Sequence, residues 1–157
     1  MDKARFIEQI RVGRTQWETF LAQIDESRMS LPGAAGKWSV KDIIAHIMWS
    51  EHEMIGVCQT HTLTGSDLWN LSEDERNEAV FVEYRDRSLS ELLVEEQAVF
   101  AQLFAAVQTL SEEDLHDPHR FRDMPSEWIP WQVIAGCSFE HYQSHMPSIQ
   151  AWLEQKT

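Results

Sequence analysis

Apolar residues recur along this chain at steps of three and four, the spacing of one face of an α-helix. From Lys3 to about Arg28 that face reads Phe6, Ile10, Gly13, Trp17, Leu21 and Ile24. Gly13 lowers helix propensity by about 1 kcal/mol, so its place on the face predicts a neighbouring helix that approaches closely. Leu31-Pro32-Gly33-Ala34-Ala35-Gly36 then interrupts the pattern and predicts a loop. A second helix follows, opened by Ser39 and Asp42 as a capping box, in which each side chain bonds the other residue's backbone N–H. It extends to about Cys58 with the stripe Val40, Ile43, Ile44, Ile47, Met48, Met54 and Ile55. Glu51 falls in the middle of that stripe, where an apolar residue is expected.

Gln59 to Leu71 is polar and predicts a loop. Three more capping-box patterns follow: Ser72 with Glu75, Ser88 with Glu91, and Ser111 with Asp114. The first predicts a moderate helix to about Tyr84. The second predicts a strong one through Leu89, Leu92, Leu93, Val99, Phe100, Leu103, Val107 and Leu110, and the third a short turn. His116 to Pro130 carries three prolines and predicts a long irregular connection, of the kind that usually serves a function. Pro130 suits the first turn of a last helix bearing Trp131, Ile134, Ser138, Tyr142, His145, Ile149 and Trp152 on one side, with Pro147 expected to kink it. Strand-like alternation is nowhere sustained. The expectation is an all-α fold: an up-down bundle of four long helices with one shorter helix inserted, forming a single domain over residues 1–157.

Charge narrows the partners. The chain carries 26 acidic and 13 basic residues, a net charge of −13, which repels phosphate backbones and anionic membranes alike. No apolar run approaches the roughly 18 residues of a membrane span. The N-terminus reads directly into an amphipathic helix and not as a signal peptide. Cys58 and Cys137 cannot form a disulfide framework, and the expected compartment is the cytoplasm.

Of seven histidines, only His141 and His145 stand at i and i+4, leaving one helix face a turn apart. They share the side of Ile134, Ser138 and Trp152 and so point inward. Two inward imidazoles need partners, and one metal ion would satisfy both. A surface or core pair is the alternative reading of the same spacing. The pattern is not that of the zinc proteases, because Tyr142 stands where their catalytic Glu would be. His46, off the centre of its helix's stripe beside Ile43, Ser50 and Glu53, is the natural third ligand or else a helix-edge residue. Cys137, one turn before His141, reads first as a small buried hydrophobe and second as a fourth ligand or reactive thiol. His52, His61, His116 and His119 have no partner spacing and read as solvated or loop residues.

Gly36-Lys37-Trp38-Ser39-Val40-Lys41-Asp42-Ile43-Ile44-Ala45-His46-Ile47 resembles the signature opening the second helix of the DinB-like (DinB/YfiT) superfamily. Glu140-His141-Tyr142-Gln143-Ser144-His145 resembles the signature in that family's last helix. The middle of the chain, in Trp69 to Asn77, Tyr84 to Leu89 and Leu110 to Leu115, looks most like the ClbS/DfsB branch. The resemblance implies a four-helix bundle in which His46, His141 and His145 hold one divalent metal ion, zinc or nickel first among the candidates, and it implies a homodimer. Known members include transferases and isomerases that use low-molecular-weight thiols. The ClbS-like branch includes a resistance protein that opens a reactive cyclopropane in a genotoxin, and some of its members lack the triad.

Three neutral imidazoles leave a coordination position open, as in catalytic zinc sites. An ion so held can acidify a bound water or an incoming thiol, and either suits attack on an electrophilic carbon. Two carboxylates are candidate catalytic helpers. Glu53, two turns from His46, can orient a ligand or act as base, or simply be solvated. Glu51 can be a buried base with a raised pKa or pair across a dimer interface. Trp38, Trp49, Trp128 and Trp131 can line a pocket for a flat apolar substrate, or serve core and interface. The functional expectation is a metal-dependent hydrolase or thiol transferase acting on a reactive small molecule. Its competitors are a ClbS-like protective protein that does not use a metal in chemistry, and a non-enzymatic dimer stiffened by its ion.

Overall fold

Asp2 opens the first helix, α1 (Lys3–Ala22), by accepting the Arg5 N–H at 2.8 Å. The structure, a computed structural model, describes residues 1–63 and 65–155; Thr64, inside the predicted Gln59–Leu71 loop, and Lys156 and Thr157 lie outside them. α1 stops short of the predicted Arg28. Asp25 accepts the Ser27 N–H at 2.9 Å and starts a separate short helix, α2 (Glu26–Met29). The redirected chain buries both Ile24 and Met29.

α3 (Val40–Thr60) begins at the predicted Ser39/Asp42 capping box. It ends at His61, which takes the left-handed conformation that stops a helix (φ 50°, ψ 44°). The other three boxes also form, opening α4 (Glu73–Tyr84), α5 (Leu89–Thr109) and α6 (Glu112–His116). The two predicted loops are partly ordered by 3₁₀ turns, at Asp67–Asn70 and Pro118–Arg120. They also bind each other: the Leu63 N–H donates to the Arg122 carbonyl at 2.9 Å, and the Arg122 N–H to the His61 carbonyl at 2.8 Å. Phe121 and Met124 anchor the second connection by burying in the core.

The last predicted helix is two helices, α7 (Pro130–Gly136) and α8 (Phe139–Glu154), and the break is at Cys137–Ser138, not at Pro147. The Ser138 hydroxyl donates to the Ile134 carbonyl at 2.7 Å, occupying the group its own N–H would have used. That N–H turns instead to Ala135 at 3.1 Å, which tightens and ends α7. α8 runs through Pro147 without interruption. The carbonyl left unpaired by the proline belongs to Gln143, an exposed residue, where water can replace the lost bond.

α1, α5, α3 and α8 pack around a common core, each against the next and α8 back against α1. Arg14 meets Glu96 and Lys3 reaches the Gln108 carbonyl, so α1 and α5 run in opposite directions. Phe6 packs on Phe139 and Trp17 on Tyr142, so α1 and α8 run the same way. Lys41 bonds the Arg85 and Arg87 carbonyls just before α5, while His61 faces Asp114 just after it, so α3 and α5 also share a direction. The inserted α4 carries the chain back between them, giving the bundle the order up, down, down, up. Gly13 stands where the helices come closest: a Cβ there would collide with the Phe139 Cβ. Among the described residues there is no strand, and no helix is long and apolar enough to cross a membrane.

Candidate metal centre

α3 supplies His46 and α8 supplies His141 and His145, and the antiparallel packing of these two helices brings the three rings together. One nitrogen from each ring lies within 4.8 Å of the other two. The Nε2 atoms of His46 and His141 are 2.9 Å apart. Ring centroids are separated by 4.7 Å (His46–His141), 5.2 Å (His46–His145) and 4.9 Å (His141–His145). All three side chains are half-buried. Trp38 packs on the outer side of His46 at 5.1 Å and stacks in turn on Phe81.

Burial holds these imidazoles neutral. It lowers His46 to about 4, with His145 and Arg76 adding to the effect, and lowers His141 to about 3, with His46 and His145 adding. His145 is also lowered, by burial. Near pH 7 each ring therefore keeps a lone pair to donate. The Nδ1 atoms of His46 and His141 are buried without a protein partner. A neutral ring that gives Nε2 to an ion carries its proton on Nδ1, so these Nδ1 atoms do not compete for the ion. Two nitrogens bound to one zinc-type ion at about 2.1 Å lie roughly 3–3.4 Å apart, close to the His46–His141 separation. The residues present fit a divalent metal ion.

Among the described residues this cluster contains the three histidines alone. Cys137 is not in it. The break before α8 sets Cys137 on the wall of an apolar cavity, where burial pushes its thiol up to about 12, so the preferred hydrophobe reading suits its surroundings better than the fourth-ligand one. Glu51 is 1% exposed and accepts the Tyr142 hydroxyl, which bonds α3 to α8 beside His141. Burial pushes this carboxyl up to about 8, against the pull of the Tyr142 bond. Glu53 accepts the Ser66 N–H at 2.7 Å and the Trp69 indole N–H at 2.9 Å, so its carboxylate holds the loop beyond α3. Gly65 lies against that carboxylate, where a Cβ would collide with it, and no larger residue fits there without movement.

Four residues near the site escape the sequence reading. Arg14 and Glu96 form a buried ion pair through two bonds of 2.6 and 2.9 Å. The sequence does carry a signal for them, because each sits at core spacing on its own helix, Arg14 between Ile10 and Trp17 and Glu96 between Leu92 and Val99. Arg76 lies 4.7 Å over the Trp69 ring, and its positive charge reaches His46 and Cys137. Nothing in the local pattern marks Arg76 or Trp69, which the loop fold brings together. The four tryptophans named as pocket residues part company: Trp38 flanks His46, Trp49 stacks on Trp69, Trp128 lines the apolar cavity, and Trp131 packs on Phe6 across the molecule. His61 is no free loop residue. It stacks on Phe121 at 5.0 Å and lies 3.5 Å from Asp114.

A family model described as the DinB superfamily matches residues 3–149. Among solved structures, a protein from Streptococcus pneumoniae superposes with a TM-score of 0.83 at 17% identity, over 98% of this chain and 91% of its own. An uncharacterised protein from Escherichia coli UTI89 superposes with a TM-score of 0.77 at 14% identity, over 98% and 93%. At such identities these two likenesses speak for the fold. Comparison with curated proteins yields no match.

Proposed function

The chain belongs to the DinB superfamily, and from that premise we propose that it is an enzyme holding one divalent ion, zinc or nickel, through His46, His141 and His145. The observation that carries this reading is the convergence of three neutral ring nitrogens within 4.8 Å, two from α8 and the third from His46 on α3, 95 residues before His141 in sequence. An ion held by these three neutral imidazoles would act as a Lewis acid and would acidify a water or thiol reaching it. The substrate is a small reactive electrophile, and the reaction is hydrolysis or transfer to a low-molecular-weight thiol. The chain's own residues prepare the site. Trp38 packs on one side of the His46 ring, and the Glu51–Tyr142 bond joins α3 to α8 next to His141. Both edges of the triad are thereby held in place.

The decisive measurement is metal content by mass spectrometry on untagged protein. Wild type is expected to carry close to one equivalent, and His141→Ala less than about a tenth of that, since loss of one of three ligands leaves a weak pair. Wild-type protein that takes up no zinc or nickel on incubation would overturn the proposal. Similarity to the ClbS/DfsB branch and a homodimeric state belong to the same proposal; sedimentation of the metal-loaded protein tests the second.

A further inference from the structure

A cavity of about 320 Å³ opens beside the 61–70 segment, walled by Met54 from α3, Leu63, Trp69, Trp128, Val133 from α7, and Cys137. None of the three histidines lines it. Trp69 and Trp128 come from the two connecting segments and are 38% and 43% exposed, which leaves part of each ring open to the cavity. Both indoles have anchors among the described residues. The Trp69 ring is held by its N–H bond to Glu53, by Arg76 over one face and by Trp49 at 5.2 Å. The segment bearing Trp128 is tied to the end of α3 by the backbone bonds between Arg122 and residues His61 and Leu63. The indoles therefore keep the space open instead of collapsing into it, as in a preformed ligand site.

Among the described residues no charged side chain lines the walls. Met54 and Cys137 bring sulfur to the walls, and sulfur favours the edges of aromatic rings. Burial keeps the Cys137 thiol protonated, so the wall is also uncharged there. A charged ligand would lose its hydration there, while the nearest charges are already engaged, Glu53 by the Ser66 and Trp69 N–H groups and Arg76 by the Trp69 ring. An anion would also meet the field of a chain with net charge −13. The volume lies at the small end of ligand pockets, enough for one or two fused rings with a substituent.

We propose that this cavity is a binding site for an uncharged, planar aromatic small molecule, held between Trp69 and Trp128 and bound independently of the three histidines. The probe is N-phenyl-1-naphthylamine, a neutral dye that brightens in apolar surroundings, titrated into the full chain with and without a chelator. Saturable binding of about one equivalent is expected, unchanged by chelation. Naphthalene should displace the dye, and naphthalene-1-sulfonate should not. Val133→Trp fills the cavity and Trp128→Ala removes one wall; each should weaken binding about tenfold or more, as loss of an aromatic anchor does. Val94→Ala, at an exposed position on α5, should change nothing. Trp128 is exposed enough that its replacement leaves the fold intact, which thermal melting checks. Non-saturable binding, displacement by the sulfonate as well as by naphthalene, or unchanged affinity in a folded Trp128→Ala protein would overturn the proposal. Because the chelated protein is tested alongside, a failure of the metal reading leaves this result standing, and the reverse also holds.

Discussion

At the scale of single residues, the buried titratable groups divide by the sign of their effect on stability. His46 and His141 are lowered from 6.5 to about 4 and about 3 by burial. Between those values and 6.5 the unfolded chain binds more protons than the folded one. Their contribution is complete above pH 6.5 and is lost as pH falls through about 4 and then about 3. Glu51 runs the other way: raised from 4.5 to about 8, it contributes fully below 4.5 and loses that contribution as pH rises through about 8. Melting temperatures of chelated protein across pH 3–9 check both. The His46→Gln, His141→Gln double variant should flatten the acid limb, and Glu51→Gln the alkaline one. A double variant with the wild-type acid limb would contradict the assignment. The Arg14–Glu96 pair makes a third residue-level case. Arg14→Met should cost about 3–5 kcal/mol by stranding a buried carboxylate, and adding Glu96→Leu should restore most of it, because two apolar groups replace two charges. Urea unfolding of the single and double variants measures the difference. The cluster is only partly legible in the sequence: i, i+4 spacing puts His141 and His145 on one face, while His46 joins them through the resemblance to the DinB-like signatures and the packing of α3 on α8. The roles of Arg76 and Trp69 are not legible there, because a loop's path depends on contacts between residues that no periodicity relates.

At the scale of elements, the starts of helices are far more legible than their ends. All four capping boxes form where Ser and an acidic residue stand three apart, because both halves of that bond lie within one turn of chain. Ends are decided by competition. Asp25 takes a backbone N–H and cuts α1 short, and the Ser138 hydroxyl takes a carbonyl and divides the last helix. Pro147 is the stronger breaker on propensity, but the bond it removes lies on the wet face of α8, where losing it costs little. Gly13 marks a point of close approach, as its place on the apolar face of α1 predicts. Gly13→Ala should gain helix propensity yet lose about 1–3 kcal/mol overall, because the new methyl must displace the Phe139 Cβ or the backbone that carries it. Denaturant unfolding is the check, and a stabilised variant would show that α1 and α8 can slide apart freely.

At the scale of the whole molecule, an ion at the triad would join α3 to α8 across the bundle, and its binding energy would add to folding energy. At a free metal concentration a hundred times Kd the gain is about 2.7 kcal/mol, a rise of roughly 5–10 °C in melting temperature for a chain of this size. Scanning calorimetry with zinc or nickel should show that rise in wild type and not in His141→Ala. The net charge of −13 acts in the same direction, since a negative field concentrates divalent cations near the surface while repelling nucleic acid. The joint at Cys137–Ser138 has a consequence of another kind. On one side of it α8 carries two of the imidazoles; on the other, α7 and the segment before it carry Val133 and Trp128, with Cys137 at the joint itself. Substitutions upstream of the joint can reshape the cavity without touching the two histidines of α8. A lineage built on this plan could vary the cavity and leave the histidine cluster as it is, so that inheritance and novelty would fall on different stretches of one short chain.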